Sequence, residues 1–147
     1  ERYRLPLSLV MIDVDHFKEI NDTCGHDVGD SVLKTIAHLN QAQVRGVDTV
    51  ARYGGDEFVA LLAQLRGEGA ERVGFRMISA CNLYDFQEID KRVPKVTISI
   101  GIATVPDPDL KTIDQLVKCA DQALYKAKVS GRNCYKVASV KEIGEIT

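Results

Sequence analysis

Three carboxylates, Asp13, Asp56 and Glu57, are the residues in this sequence whose types and placement could do chemistry. Asp56 and Glu57 sit in ARYGGDEFVALL (51–62), where two apolar, strand-like runs meet at Gly54-Gly55. Asp13 closes another apolar run, LSLVMID (7–13), in which Leu9, Met11 and Asp13 share one face of a strand and pass from core to charge at its end. Two unit negative charges about 4 Å apart repel by roughly 4 kcal/mol at an effective dielectric near 20, and Asp15 adds a further carboxylate close by. Converging carboxylates therefore need something positive, either a shared proton, as in an acid dyad, or a hard divalent cation. Oxygen donors with no nearby His or Cys set favour magnesium or manganese over zinc, and the metal is the expectation. Taken alone, the turn has a plainer reading, in which Gly54-Gly55 supply positive φ and Asp56 and Glu57 are exposed turn residues. Asp13 is what tips the balance toward a site.

Between the two carboxylate regions runs DVDHFKEINDTCGHDVGD (13–30), dense in polar groups for a segment leaving a buried strand. Lys18 could reach a phosphate, and Asn21 and Asp30 a base edge. Guanine offers adjacent donors at N1 and N2 to an acceptor-only carboxylate, whereas adenine has no N1 proton to give, so Asp30 fits guanine. A mispaired group there would cost about 1–3 kcal/mol. Asp30 equally suits the first turn of a helix, where it complements the dipole. Lys128 and Arg132, one turn apart at the end of the last helix, are ordinary C-terminal cations as well as candidate phosphate ligands. His16, His26 and His38 show no ligand spacing and are assigned solvent or hydrogen-bonding roles.

The elements that must position these residues follow from periodicity. A buried strand is expected at 7–13 and a helix at about 28–44, carried by Val32, Leu33, Ile36 and Ala37. Strands at 49–53 and 57–63 form the hairpin, and a second helix near 70–86 has Val73, Met77, Ile78, Ala80 and Cys81 as its stripe. KVTISIGIATV (95–105) is a strand, VPDPDL (105–110) a loop, and 112–130 a helix stopped by Gly131. Residues 133–138 can close as a last strand. This order predicts an α/β (α+β) split β-α-β fold, a central mostly antiparallel sheet flanked by helices. Joining the first strand to the second through a helix favours parallel strands and a right-handed crossover, so both C-terminal ends share one sheet edge. If the third strand inserts between them, Asp13 and Asp56 become neighbours.

With 147 residues and 45% apolar composition, one domain with a real core is expected. No apolar run reaches eighteen residues and no signal-peptide pattern opens the chain, so a soluble, intracellular protein is expected. The formal charge of -2 argues against a sequence-independent grip on a nucleic-acid polymer. Four scattered cysteines with no C-x-x-C pair read as free thiols.

As a set, these residues resemble the GGDEF family, the diguanylate cyclase domains. GGDEF itself stands at 54–58, accompanied by DVDHFKEINDTCGHDVGD (13–30), VTISIGIA (96–103) and ADQALYKAKVSGRN (120–133). The resemblance implies condensation of two GTP into cyclic di-GMP with release of two pyrophosphates, on a fold similar to nucleotidyl cyclases and polymerase palms. It implies that Asp13, the carbonyl of Val14 and Asp56 hold two Mg²⁺ or Mn²⁺ ions, and that Glu57 is a base or additional ligand. Asn21 and Asp30 would contact guanine, and Lys18, Lys128 and Arg132 phosphates. Each domain presents one nucleotide, so a homodimer is needed. RGVD (45–48) stands where the family places its product-inhibition site, which makes Arg45 and Asp48 candidate ligands of cyclic di-GMP, with Arg72 or Arg76 as a further contact. The alternative for RGVD is a local Arg-Asp pair closing the helix-to-strand loop.

Family members usually begin with a D-x-L-T-G-L-x-N-R-like segment, which this chain lacks, so a domain over 1–147 without that N-terminal helix or a sensory module is expected. A regulatory domain upstream in the parent protein and a cytoplasmic location are implied, although the parent could be membrane-anchored. The alternative to catalysis is a cyclic di-GMP receptor. The retained Asp13, Asp56 and Glu57 favour the enzyme.

Overall fold

A computed structural model describes residues 5–107 and 110–138. Strand β1 (Leu7–Val14) lies at the centre of a five-stranded sheet because its side chains are buried on both faces. Val10, Ile12 and Val14 enter the larger core, while Leu9 and Met11 enter a smaller one on the opposite face. The sheet order is β2-β3-β1-β4-β5, with β2 (Thr49–Arg52), β3 (Glu57–Ala63), β4 (Ile98–Val105) and β5 (Tyr135–Val137). β3 pairs antiparallel with both β1 and β2, so β1 and β2 run parallel with β3 inserted between them, as expected. β4 is antiparallel to β1, and β5 joins β4 in parallel. The expected α/β, mostly antiparallel, helix-flanked fold is the one observed.

Helices α1 (Phe17–Cys24), α2 (His26–Gln41) and α3 (Glu68–Leu83) supply residues to the larger core. Helix α4 (Ile113–Val129) covers the other face. It begins with a capping box, in which the Thr112 side chain accepts from the Gln115 N–H while the Gln115 side chain accepts from the Thr112 N–H. Its buried stripe of Leu116, Ala120 and Leu124 repeats every fourth residue and lies against Leu9, Met11 and Ala103. Gly101 makes that seat possible. A Cβ there would lie 2.9 Å from Leu124 Cα, and closer still to the Ala120 carbonyl oxygen and Leu124 N, so the helix backbone rests directly on β4.

Several boundaries differ from the expectations. The helix expected at 28–44 is α2 at His26–Gln41, and α1 was not anticipated. Phe17, Ile20, Asn21 and Cys24 have helical spacing, but eight residues are marginal alone. Ile20 and Cys24 hold α1 by burial. The strand expected from residue 95 starts at Ile98, the last strand is shortened to Tyr135–Val137, and Tyr53 lies outside β2. Part of the 105–110 loop falls outside the described residues. Cys24, Cys81, Cys119 and Cys134 are free thiols, and no described helix is long and apolar enough to cross a membrane.

Candidate active site

The site begins with the β1–β3 register, which sets Asp13 opposite Glu57. Cross-strand partners share a face, and this one is the α4 face, where Leu9, Met11 and Asp13 succeed one another toward the rim. Past the last paired residues, the Val14 N–H donates to the Asp56 carbonyl at 3.1 Å, which ties the hairpin turn to the end of β1. The fourfold stripe of α4, continued one turn beyond Leu124, brings Lys128 over the same rim. Its ammonium pairs with Asp13 Oδ2.

Asp13 is 6% exposed, and its carboxyl is pushed up to about 6. Burial is the main cause, the Lys128 hydrogen bond opposes it, and the charges of Asp56 and Glu57 reinforce it. Lys128 is held above its usual value because its bond to Asp13 and the nearby negative charges outweigh its own burial. The carboxylates therefore do converge, with a side-chain ammonium as their local counter-charge. Asp56 and Glu57 are half-buried, unlike ordinary turn residues.

The turn itself departs from its plainer reading. Neither Gly54 nor Gly55 has a left-handed φ, and a Cβ on Gly55 would meet nothing within 4 Å. The fold does not require glycine at 55. The turn is instead closed by the N–H groups of Tyr53 and Gly54, which donate to the Glu57 carbonyl at 2.8 and 3.2 Å. Arg52 adds a clasp that sequence reasoning missed, its Nε donating to the carbonyls of Gly54 and Gly55, each at 3.1 Å.

Asp15, expected near the carboxylate cluster, is bonded elsewhere. It accepts from Thr97 Oγ1 and Ser99 Oγ, each at 2.7 Å, and from the Asn133 N–H at 3.1 Å.

A groove of about 320 Å³ lies against the other side of the hairpin, lined by Asp30, Leu33, Lys34, Val50, Arg52 and Phe58 among others. Alternation along β2 and β3 was the available signal for it, since Val50 pairs with Ala60 and Arg52 with Phe58. Asn21 packs against Gly29, the residue before Asp30, because that glycine leaves the space. A Cβ there would collide with Asn21 Oδ1 and lie 3.2 Å from the Phe17 ring. Asp30 and Lys18 are exposed, as is Arg132.

Arg45 and Asp48 form the local pair that the sequence allowed. Asp48 is buried and accepts from Arg45 N at 2.9 Å, from Arg45 Nε and Nη2 at 3.1 Å each, and from Ala63 N at 2.9 Å. Burial pushes its pKa upward, but the bonds from Arg45 and Ala63 outweigh this and hold it below the ordinary value. Arg45, Arg72 and Arg76 also line one cavity of about 210 Å³. Arg76 donates to the Gln43 carbonyl at 2.8 Å, while Arg72 stands 3.6 Å from Glu68.

Among the described residues, no three His, Cys, Asp or Glu side chains are gathered as a ready-made metal cage. The donor chemistry nonetheless fits a hard divalent cation. The acidic side chains offer only oxygen, and Asp13 Oδ1 is buried with no hydrogen-bond partner among the described residues.

The sequence profile described as "Diguanylate cyclase, GGDEF domain" matches residues 1–134. "Probable diguanylate cyclase DgcC" of Escherichia coli (strain K12) is 37% identical over 139 residues, covering 94% of this chain and 36% of that protein. The chain thus spans only about a third of that relative's length. The crystal structure of the GGDEF domain of YfiN from Pseudomonas aeruginosa matches with a TM-score of 0.86 at 38% identity, covering 95% of this chain and 86% of that one. The coiled coil and GGDEF domain of DgcB from Caulobacter crescentus, in complex with c-di-GMP, gives 0.84 at 26% identity, covering 91% and 70%. With the profile matched from the first residue through the loop beyond α4, and the fold shared with solved examples, the chain belongs to the GGDEF family of diguanylate cyclase domains.

Proposed function

We propose that this chain is a catalytic domain that condenses two GTP into cyclic di-GMP and releases two pyrophosphates. The observation that carries the reading is the meeting of Asp13, Asp56 and Glu57 at one sheet rim under Lys128, with the groove that Asp30 and Arg52 line across the hairpin from them. Asp30 accepts the guanine N1 and N2 donors with Asn21 beside it, and Lys18, Lys128 and Arg132 offset triphosphate charge. In each of two steps a ribose 3′ oxygen bonds to the α-phosphorus of the other nucleotide while the bond to pyrophosphate breaks. The hydroxyl proton passes to Glu57 acting as base, or to solvent. Asp13, the Val14 carbonyl and Asp56, with Glu57, would hold Mg²⁺ or Mn²⁺, which supplies charge for hydroxyl activation and for the leaving pyrophosphate. Glycine at 54 and 55 leaves the turn open to a close ligand.

Each domain holds one nucleotide, so the attacking hydroxyl and its phosphate come from two copies facing each other. Arg45, with Arg72 and Arg76 around the same cavity, forms an anion site for the product. Half of the Arg45 side chain remains exposed after its bonds to Asp48.

Incubation with Mg²⁺ and GTP, then with ATP, and identification of the products by mass tests the reading. Cyclic di-GMP from GTP alone is expected. Binding of cyclic di-GMP without synthesis would establish a receptor instead. Specific activity should rise with enzyme concentration, and a constant value well below the dimerisation range would count against the two-copy arrangement.

A further inference from the structure

Asp15 is a carboxylate that the reaction does not use, yet it is 6% exposed and lies just past the end of β1. Its hydrogen-bond donors are all neutral: Thr97 Oγ1, Ser99 Oγ and the Asn133 N–H. Its own N–H donates to the Thr97 carbonyl at 3.0 Å, extending the β1–β4 ladder by one rung. Burying a carboxylate whose donors among the described residues are all neutral is costly, and short bonds from several of them are what make it tolerable. Removing it would leave the Thr97 and Ser99 hydroxyls and the Asn133 N–H without this acceptor.

The bonds from Thr97 and Ser99 fix Asp15 against β4, and the one from Asn133 reaches the turn after α4. The helix ends in a Schellman arrangement, the Arg132 N–H donating to the Ala127 carbonyl at 3.0 Å and the Gly131 N–H to Lys128 at 3.4 Å. Gly131, Arg132 and Asn133 then follow with φ of 114°, 65° and 50°. Two consecutive left-handed residues other than glycine persist only where the surroundings over-determine them. The Asn133 bond to Asp15 ties this turn to the end of β1, two residues from Asp13.

We propose that Asp15 is a positioning residue, which locks the left-handed Arg132–Asn133 turn against β1 so that the Arg132 cation is presented to the nucleotide phosphates. The proposal rests on the cyclase reading for the identity of that ligand. Asp15 acts through Arg132, and its loss should therefore remove what Arg132 contributes and leave other phosphate contacts alone.

The test is a pair of double-mutant cycles read as dissociation constants for a non-hydrolysable GTP analogue with Mg²⁺. Asp15→Ala, which removes the acceptor of the Asn133 N–H, and Arg132→Ala should each weaken binding by about tenfold, and the double variant should be no more than about twofold weaker than the worse single one. Lys18→Ala, in contrast, should multiply its full effect onto Asp15→Ala. A general loss of structure would not produce that selectivity. If Asp15→Ala does not fold, Thr97→Val removes one donor from the same carboxylate, and a smaller loss with the same pattern is expected. Full multiplication of the Asp15 and Arg132 effects would overturn the positioning role alone. Failure of the wild-type chain to bind the analogue would instead overturn the cyclase reading, and this proposal with it.

Discussion

Replacing Gly101 with Ala tests the link between packing and site most directly. The added Cβ would sit 2.9 Å from Leu124 Cα and nearer to two other backbone atoms of α4, none of which can swing aside as a side-chain tip could. Restoring ordinary separation requires the helix to withdraw by about 1 Å, which opens gaps along Leu116, Cys119, Ala120 and Leu124 and forfeits a quarter to a half of each affected attraction. Overpacking alone costs about 1–3 kcal/mol, and with the lost contacts the total is about 3 kcal/mol. Unfolding entropy scales with length, giving about 0.3 kcal/mol/K for 147 residues, so the melting temperature should fall by about 10 °C. Because the same helix carries Lys128 over Asp13, turnover of GTP by the folded variant should drop by about 10²-fold, the usual consequence of a 1 Å misplacement. Thermal melts and a product assay well below the transition measure both. A melting temperature within about 3 °C of wild type, or undiminished turnover, would refute the claim that the direct seat of α4 on β4 positions the site.

Gly55→Ala is the converse case. With open space at its Cβ and no left-handed φ, stability should stay within about 0.5 kcal/mol while cyclic di-GMP synthesis falls, and normal synthesis would mean that no ligand approaches the turn. Glu57→Gln should abolish product yet leave GTP binding measurable by calorimetry, and robust synthesis would exclude Glu57 as base or essential ligand. Arg45→Ala should relieve inhibition by added cyclic di-GMP and, by removing donors to buried Asp48, cost about 1–3 kcal/mol in urea unfolding. An unchanged inhibition curve would reject the product site. The depressed pKa of Asp48 means that its stabilisation is present above the unfolded value near 3.9 and is lost as pH falls through the folded value. Below about pH 4, wild type should therefore lose stability more steeply than Arg45→Ala, and parallel curves would show that the pair does not set this dependence.

The convergence of Asp13 and Asp56 was legible because it depends on short-range rules. A strand-helix-strand connection favours parallel strands, a hairpin reverses direction, and alternation places Leu9, Met11 and Asp13 on one face. Periodicity likewise found the β3 range and placed α4 to within one residue at each end, since the expected 112–130 includes only the caps of Ile113–Val129 in addition. Helix α1 escaped them, since its eight residues owe their conformation to the burial of Ile20 and Cys24 rather than to local preference.

Taken by itself, the amino-acid sequence determined the family, the element order and the acidic and basic residues available for chemistry, because periodicity, turn residues and motif spacing are local properties of the chain. Only tertiary structure decided that Lys128 is the counter-charge of Asp13, that Asp15 belongs to Thr97, Ser99 and Asn133, and that the Arg45–Asp48 pair also grips Ala63. Those partners are brought together by the seating of α4 on β4 and the register of β3 on β1, and a pairing between residues as far apart as Asp15 and Asn133 depends on packing geometry that no local pattern encodes.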